Sequence, residues 1–197
     1  MPSTVALGRA NPRRAPAEEG PHVAYQQAHE NGRFVLWNRR VTLREHTPRD
    51  AAVVADGKPG DLNWIDGVPG EASIGAAAMT SRAAAAGYHR SPWGIFAILR
   101  AEDGVALGSI GFHGPPDPDE GEVEVGYDLS HSARGAGWAT GALRLLMEWT
   151  AEQPEVHTVI ATTEPWNIPS QRVLLRADFS READRGDLHL YRHAPLG

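Results

Sequence analysis

One stretch of this sequence concentrates groups able to bind an anion through the main chain. Residues 132–146, SARGAGWATGALRLL, set Arg134, Gly135 and Gly137 just ahead of an apolar run with helical spacing. Small residues let backbone N–H groups approach a ligand, and the first turn of a helix leaves its N–H groups without partners. Their summed dipole favours negative charge, particularly a phosphate or pyrophosphate. Arg134 would add a charge-assisted contact. An ordinary glycine-bearing turn that caps a helix has the same spacing, so the loop alone leaves both readings open. Two phosphate motifs fail on detail: a P-loop ends in Gly-Lys-Ser/Thr, which is missing here, and a dinucleotide loop needs a third glycine where Thr140 stands.

The elements around this loop follow from apolar periodicity. In EGEVEVGYDL, Val123, Val125, Tyr127 and Leu129 alternate with Glu122, Glu124, Gly126 and Asp128, the pattern of a two-faced strand. A helix is expected from about Gly137 to Glu152, with Trp138, Ala142, Leu145, Leu146 and Trp149 along one stripe. Upstream, Val41 and Leu43 alternate in a strand. Thr47, Pro48 and Asp50 then supply a cap, a first-turn proline and a first-turn acid for a short helix. Residues 58–70 read as a loop whose Trp64 and Ile65 serve either as a substrate lid or as a pin to the core. Alanines follow as a second helix, and residues 102–104 turn a hairpin. VHTVIAT makes a strand, SQRVLLRA a short helix and DLHLYRH a last strand. The order gives an α/β fold with a mixed sheet flanked by helices. Residues 1–32 are expected to be a flexible N-terminal arm, and 33–197 a single domain.

Composition narrows the function. The formal net charge of -6 argues against a nucleic-acid partner. The absence of cysteine excludes disulfides, thiolate catalysis and cysteine-rich zinc sites, and no metal is expected. No apolar run reaches the roughly 20 residues that span a membrane. Arg9, Arg13 and Arg14 precede a proline-containing polar segment instead of a secretory core. A cytoplasmic protein is expected.

Two blocks together carry a family resemblance. EVEVGYDLSHSARGAGWATGALRLLMEW resembles the acetyl-CoA-binding core of the GNAT acyltransferase superfamily, most closely the branch containing ribosomal-protein N-terminal acetyltransferases. Arg134, Gly137 and Ala139 match its Arg/Gln, Gly and Gly/Ala positions. TTEPWNIPSQRVLLRADF resembles that branch's second block through Asn167, Ser170, Arg172, Val173, Leu174 and Phe179. The resemblance spans about Arg39 to His193. Two positions depart from the pattern: Gly141 stands where the branch often has an acid, and Asp178 replaces a glycine before Phe179. A left-handed backbone at Asp178 would accommodate the second change.

The resemblance implies a centrally splayed sheet and acetyl-CoA as cofactor. The pyrophosphate would rest on the amides of Arg134, Gly135, Ala136, Gly137, Trp138 and Ala139. The pantetheine arm would pair with the main chain at Val125, Tyr127 and Leu129, and Asn167 would contact that arm or its loop. Acetyl transfer to an amine needs a base, because most amines are protonated near pH 7. Glu124 is favoured, acting through water, with Glu122 about 7 Å away along the same face and His113 at the preceding strand's end as further candidates. Ser170 and Tyr191 are the hydroxyls available to the departing thiolate, although a serine after Pro169 also suits a helix cap. The oxyanion would rely on a backbone N–H near Val125.

The acceptor is least defined. Trp64, Trp93 and Trp166 and six carboxylates between 117 and 128 are placed around the cleft, an acidic rim that attracts a cationic amine. Such an amine is either a protein N-terminus or an amine-bearing small molecule such as a polyamine or aminoglycoside. A homodimer fits the superfamily, but no residue specifies an interface. The alternatives are a non-catalytic acyl-CoA-binding module and an interaction domain with a purely structural glycine loop.

Overall fold

The computed structural model describes residues 25–194. Nine strands form one sheet in the order β1-β2-β3-β4-β5-β6-β7-β9-β8. They are β1 (Gln26–Glu30), β2 (Arg33–Trp37), β3 (Val41–Glu45), β4 (Ile95–Arg100), β5 (Ala106–Phe112), β6 (Glu122–Leu129), β7 (Thr158–Thr163), β8 (Ser180–Arg181) and β9 (His189–His193). Neighbours are antiparallel except β6 and β7, which are parallel. Four helices cover the sheet: α1 (Pro48–Ala55), α2 (Glu71–Ala85), α3 (Trp138–Thr150) and α4 (Ile168–Arg176). This is the mixed α/β sheet expected.

Adjacent positions on β4 show how the sheet divides the core, since successive side chains of a strand face opposite ways. Phe96 and Ile98 pack with Leu143, Leu145 and Leu146 of α3. Ala97 and Leu99 pack with Ala51 and Val54 of α1, Ala77 of α2 and Trp64. The α3 stripe is buried as its periodicity requires, with Ala142, Leu145, Leu146 and Trp149 at 3% exposure or less. α1 begins with the expected cap: the Thr47 hydroxyl accepts Asp50 N–H, and Asp50 accepts Thr47 N–H in return. Such reciprocal capping contributes about 1 kcal/mol. Asp178 takes a left-handed φ of 64° after α4.

Two expectations need correction, and one choice between readings is decided. The N-terminal arm cannot run to residue 32, because Gln26–Glu30 pairs with β2 as an edge strand. Asn31 and Gly32, at φ 51° and 75°, form the two-residue turn that closes this hairpin; residues 1–24 lie outside the described residues. Of the two readings of residues 58–70, lid or pin, the pin is what forms: Trp64 is 2% exposed, bridges to Ala106 and donates its indole N–H to Pro59 O. Trp93 is 3% exposed and stacks against Phe112 and Trp149 in the core, so of the three tryptophans only Trp166 is exposed.

Candidate active site

The glycine loop lies between β6 and α3. A single 3-10 turn (His131–Ala133) leads to Gly135 and Gly137 at φ 80° and 77°. That left-handed region costs a side-chain-bearing residue about 1–2 kcal/mol. Gly137 caps α3 and offers no side-chain acceptor, and the first bond into it is Gly141 N–H to Gly137 O. The N–H groups of residues 135–140 therefore find no acceptor among the described residues. Gly135, Ala136 and Gly137 are exposed, Trp138 is half-buried and Ala139 is buried. This row of free donors at a helix start fits a diphosphate.

Two arginines flank the loop. Arg134 Nε donates to Leu129 O at 3.1 Å, and its guanidinium lies 3.6 Å from the Asp128 carboxylate. Arg40, from the β2–β3 turn, donates to Ala136 O and lies 4.5 Å above the centre of the Trp138 ring. Its stem also passes Gly141, where a Cβ would stand 3.8 Å from it, an ordinary van der Waals contact. Arg40 was not anticipated, because its partners are nearly 100 residues away. Asp66, from the pinned loop, accepts Ser132 N–H at 3.3 Å and ties down the loop's entrance.

β6 splits the sheet. Glu122, Val123 and Glu124 pair with Thr158, Val159 and Ile160 of β7, and the pairing ends there. On the other side β6 stays paired with β5 as far as Leu129. His113 N–H donates to Glu124 O and Ser130 N–H to Leu107 O. By strand alternation Val125, Tyr127 and Leu129 face β7; the Glu124–Ile160 pair takes the Val125 N–H, and the Val125 carbonyl with the main-chain groups of Tyr127 and Leu129 faces the opening where β7 has parted. An extended amide-bearing ligand fits that unpaired edge.

The candidate acid–base groups occupy distinct places around the opening. Glu124 accepts the Thr162 hydroxyl at 2.8 Å, and its other oxygen lies 3.5 Å from His113 Nδ1. The His113 imidazole, aided by Thr162, holds the Glu124 carboxyl below the usual carboxylate range despite partial burial. His113 Nε2 lies over Gly126, where a Cβ would come within 2.9 Å of it. Glu122 instead meets Arg192 at 3.2 Å and Arg185 at 3.4 Å, so it is a paired ion and not a free base. Asp117 accepts Asp119 and Glu120 N–H groups, which makes it a turn residue of the acidic rim.

The hydroxyls also separate. Asn167, not Ser170, caps α4, since its side chain accepts Ser170 N–H. That leaves the Ser170 hydroxyl free to pair with Tyr127 OH at 2.8 Å. Burial pushes the Tyr127 phenol up to about 12, opposed by its bond to Ser170. Tyr191 is 1% exposed in the core, so the tyrosine that brings a hydroxyl to Ser170 is Tyr127.

A cavity of about 610 Å³ lies between α2 and strands β4, β5 and β6. Gly75, Ala76 and Met79 form part of its helical wall; Ser109, Gly111, Gly126 and Asp128 line its floor, and His113 lies on its edge. Among the described residues no group of three or more His, Asp or Glu is arranged to hold a metal, and no helix is long and apolar enough to cross a membrane.

A family model described as "Acetyltransferase (GNAT) domain" matches residues 40–180. An N-acetyltransferase of Bacillus licheniformis, p20, described as uncharacterized, is 31% identical over 87 residues, 44% of this chain and 48% of its own length. The matched stretch thus spans about half of that relative. A putative ribosomal-protein-serine acetyltransferase from Vibrio cholerae superposes with a TM-score of 0.59 at 16% identity, over 82% of this chain and 98% of its own. The ribosomal L7/L12 alpha-N-protein acetyltransferase RimL, solved with coenzyme A, gives 0.56 at 18% identity, over 79% and 94%. At these identities the two structures establish a shared fold.

Proposed function

Because the chain belongs to the GNAT acetyltransferase family, we propose that it transfers an acetyl group from acetyl-CoA to a primary amine. The observation that carries this reading is the opening between β6 and β7. It has a row of free amide donors at one end and the His113–Glu124 pair at the other. RimL, with a similar fold, was solved with coenzyme A, which supports the cofactor. The amides of residues 135–139, with the Arg134 and Arg40 side chains, bind its diphosphate, while the Arg134 N–H is held by His131 O; the Val125 carbonyl, Tyr127 and Leu129 pair with its amide arm. Acetyl-CoA supplies the activated acyl group.

The chain's own groups divide the work. His113 Nε2 accepts the amine proton, and Glu124, held by Thr162, orients the imidazole from its Nδ1 side. This revises the expectation that Glu124 is itself the base, since Glu124 is engaged by Thr162 and His113 whereas His113 borders the cavity. A main-chain N–H of β6 just past the last β7 pair donates to the carbonyl oxygen as charge develops there. The new C–N bond forms as the C–S bond breaks; the Tyr127–Ser170 hydroxyl pair donates a hydrogen bond to the leaving thiolate, whose charge is balanced by the amine proton now on His113 and released with it to solvent. Asn167 holds the start of α4 so that Ser170 stays in place. A cytoplasmic setting accords with the cysteine-free sequence.

Titration calorimetry with acetyl-CoA, CoA and NAD, followed by thiol release with a panel of amines, tests this reading. Saturable acetyl-CoA binding together with amine-dependent thiol release is expected. Binding with no release for any amine would instead favour an acyl-CoA-binding module, and NAD binding without acetyl-CoA binding would overturn the cofactor.

A further inference from the structure

The cavity under α2 is charged unevenly along its length. Asp128 lines it near the start of α2, where a Cβ on Gly70, the helix cap, would stand 3.0 Å from the Asp128 carboxylate. That carboxylate is 20% exposed, and its nearest cation, Arg134, stays at 3.6 Å, beyond a hydrogen bond. Beside it on the floor is its cross-strand neighbour Ser109, 3% exposed, with a buried hydroxyl that has no partner among the described residues. Toward the end of α2 the lining turns basic, with Arg82, His89, Arg90 and His113. Arg90 is engaged by Glu155 at 3.1 Å. Between these ends the wall is small or apolar: Ala72, Gly75, Ala76, Met79 and Ile110.

We propose that the acceptor is a dication, a diamine or polyamine with an apolar spacer, whose reacting amine meets His113 while its second ammonium is held by Asp128 and Ser109. The proposal rests on the reading of the site as an amine acetyltransferase. Arg82, which has no ion-pair partner among the described residues, disfavours an ammonium at that end, while the Glu124 carboxylate behind His113 is taken up by the imidazole and Thr162. The acidic end keeps the other amine charged and gains a charge-assisted hydrogen bond to it. His113 Nε2 lies over Gly126, two residues from Asp128, so the two amines are separated by roughly 7 Å of strand. A spacer of about five methylenes covers that distance. In the reaction the neutral amine forms the C–N bond, its proton goes to His113, and the C–S bond breaks to release the thiolate. The second ammonium keeps its proton throughout.

The test is thiol release from acetyl-CoA with 1,n-diamines of three to eight methylenes, each against the alkyl monoamine of equal length and against a short peptide. Wild type and Asp128→Asn are compared, with acetyl-CoA calorimetry reporting on the fold of the variant. The wild type should prefer diamines of intermediate length over matched monoamines by about tenfold or more in kcat/KM. Asp128→Asn should bring that ratio close to one. Equal rates for diamine and monoamine, no dependence on length, a preference for the peptide, or an unchanged ratio in Asp128→Asn would each overturn the dication while leaving amine acetylation standing. The wild-type length series decides the matter even if the variant does not fold. If acetyl-CoA binds but no amine releases thiol, the acetyltransferase reading fails and the dication with it.

Discussion

His113 and Glu124 are cross-strand neighbours, joined by a backbone hydrogen bond of 2.9 Å and by a 3.5 Å approach of Nδ1 to the carboxylate. The same carboxylate oxygen pair is anchored across the splay by the Thr162 hydroxyl. The alignment leaves Nε2 as the free ring nitrogen beside the cavity. General bases contribute about 10²–10⁴-fold, so His113→Gln should lower kcat/KM by at least about 100-fold. Glu124→Gln, which keeps the shape and removes the charge, should cost less than His113→Gln. Acetyl-CoA affinity should stay within about threefold for both variants, because neither touches the glycine loop. Steady-state kinetics paired with calorimetry checks this. If His113→Gln retained full activity while Glu124→Gln lost it, Glu124 would be the base after all.

Gly126 holds open the space that the imidazole occupies. An added Cβ would stand 2.9 Å from His113 Nε2, closer than such atoms pack, while the next atoms of that ring are 3.8 Å away. Gly126→Ala should therefore displace the ring and leave the β5–β6 pairing intact. Activity should fall by tenfold or more, with thermal unfolding shifted by only a few degrees. A variant that kept wild-type kcat would show that the ring's position is unimportant to the reaction.

Arg40 braces the glycine loop from outside, by its bond to Ala136 O and its stacking on Trp138. Cation–π contacts at exposed sites contribute about 0.5–1 kcal/mol, so Arg40→Ala should alter stability little. Its larger effect should be on acetyl-CoA, whose dissociation constant should rise about tenfold as one positive charge and the loop's brace are lost together. Gly137→Ala adds the cost of a left-handed backbone at φ 77°, about 1–2 kcal/mol, and should weaken acetyl-CoA binding in the same assay. If both variants bound acetyl-CoA as tightly as wild type, the diphosphate would have to lie elsewhere.

These residues also mark what the sequence makes legible. The β6 alternation and the α3 stripe are local periodicities, and both elements form where the apolar pattern puts them. The glycine loop is legible for the same reason, since its conformation is set by Gly135 and Gly137 themselves. β1 was hidden because QQAHE is a polar, exposed edge strand with no apolar alternation, although the Asn31–Gly32 turn announced it. Contacts between distant segments were not legible. Arg40 with Ala136 and Tyr127 with Ser170 become neighbours only once the sheet is assembled. Trp64 and Trp93 were placed at the cleft for their size, but burial in the core claims them. Asn167 takes the capping role that the sequence suggests for Ser170, because its side chain reaches Ser170 N–H once α4 is formed.

His46 ties stability to pH far from the reaction. It follows β3 at 3% exposure, and its Nε2 has no hydrogen-bond partner among the described residues. Burial lowers its pKa from 6.5 to about 4; Asp50 and Asp61 oppose the shift, and Arg44 and Arg33 reinforce it. A histidine with a lowered native pKa takes up its proton more readily in the unfolded chain. Its neutral form therefore contributes fully to stability above about pH 6.5, and that contribution is lost as pH falls toward about 4. Over the whole window the loss is roughly 3 kcal/mol, of which about 2 kcal/mol falls between pH 7 and 5. His46→Gln cannot take up this proton. Urea denaturation at pH 7, 6 and 5 should show wild type losing about 2 kcal/mol more than the variant across that range. Carboxylates remote from His46 titrate alike in both proteins and cancel in the difference. Parallel stability curves would mean that His46 reaches solvent and charges without unfolding the chain.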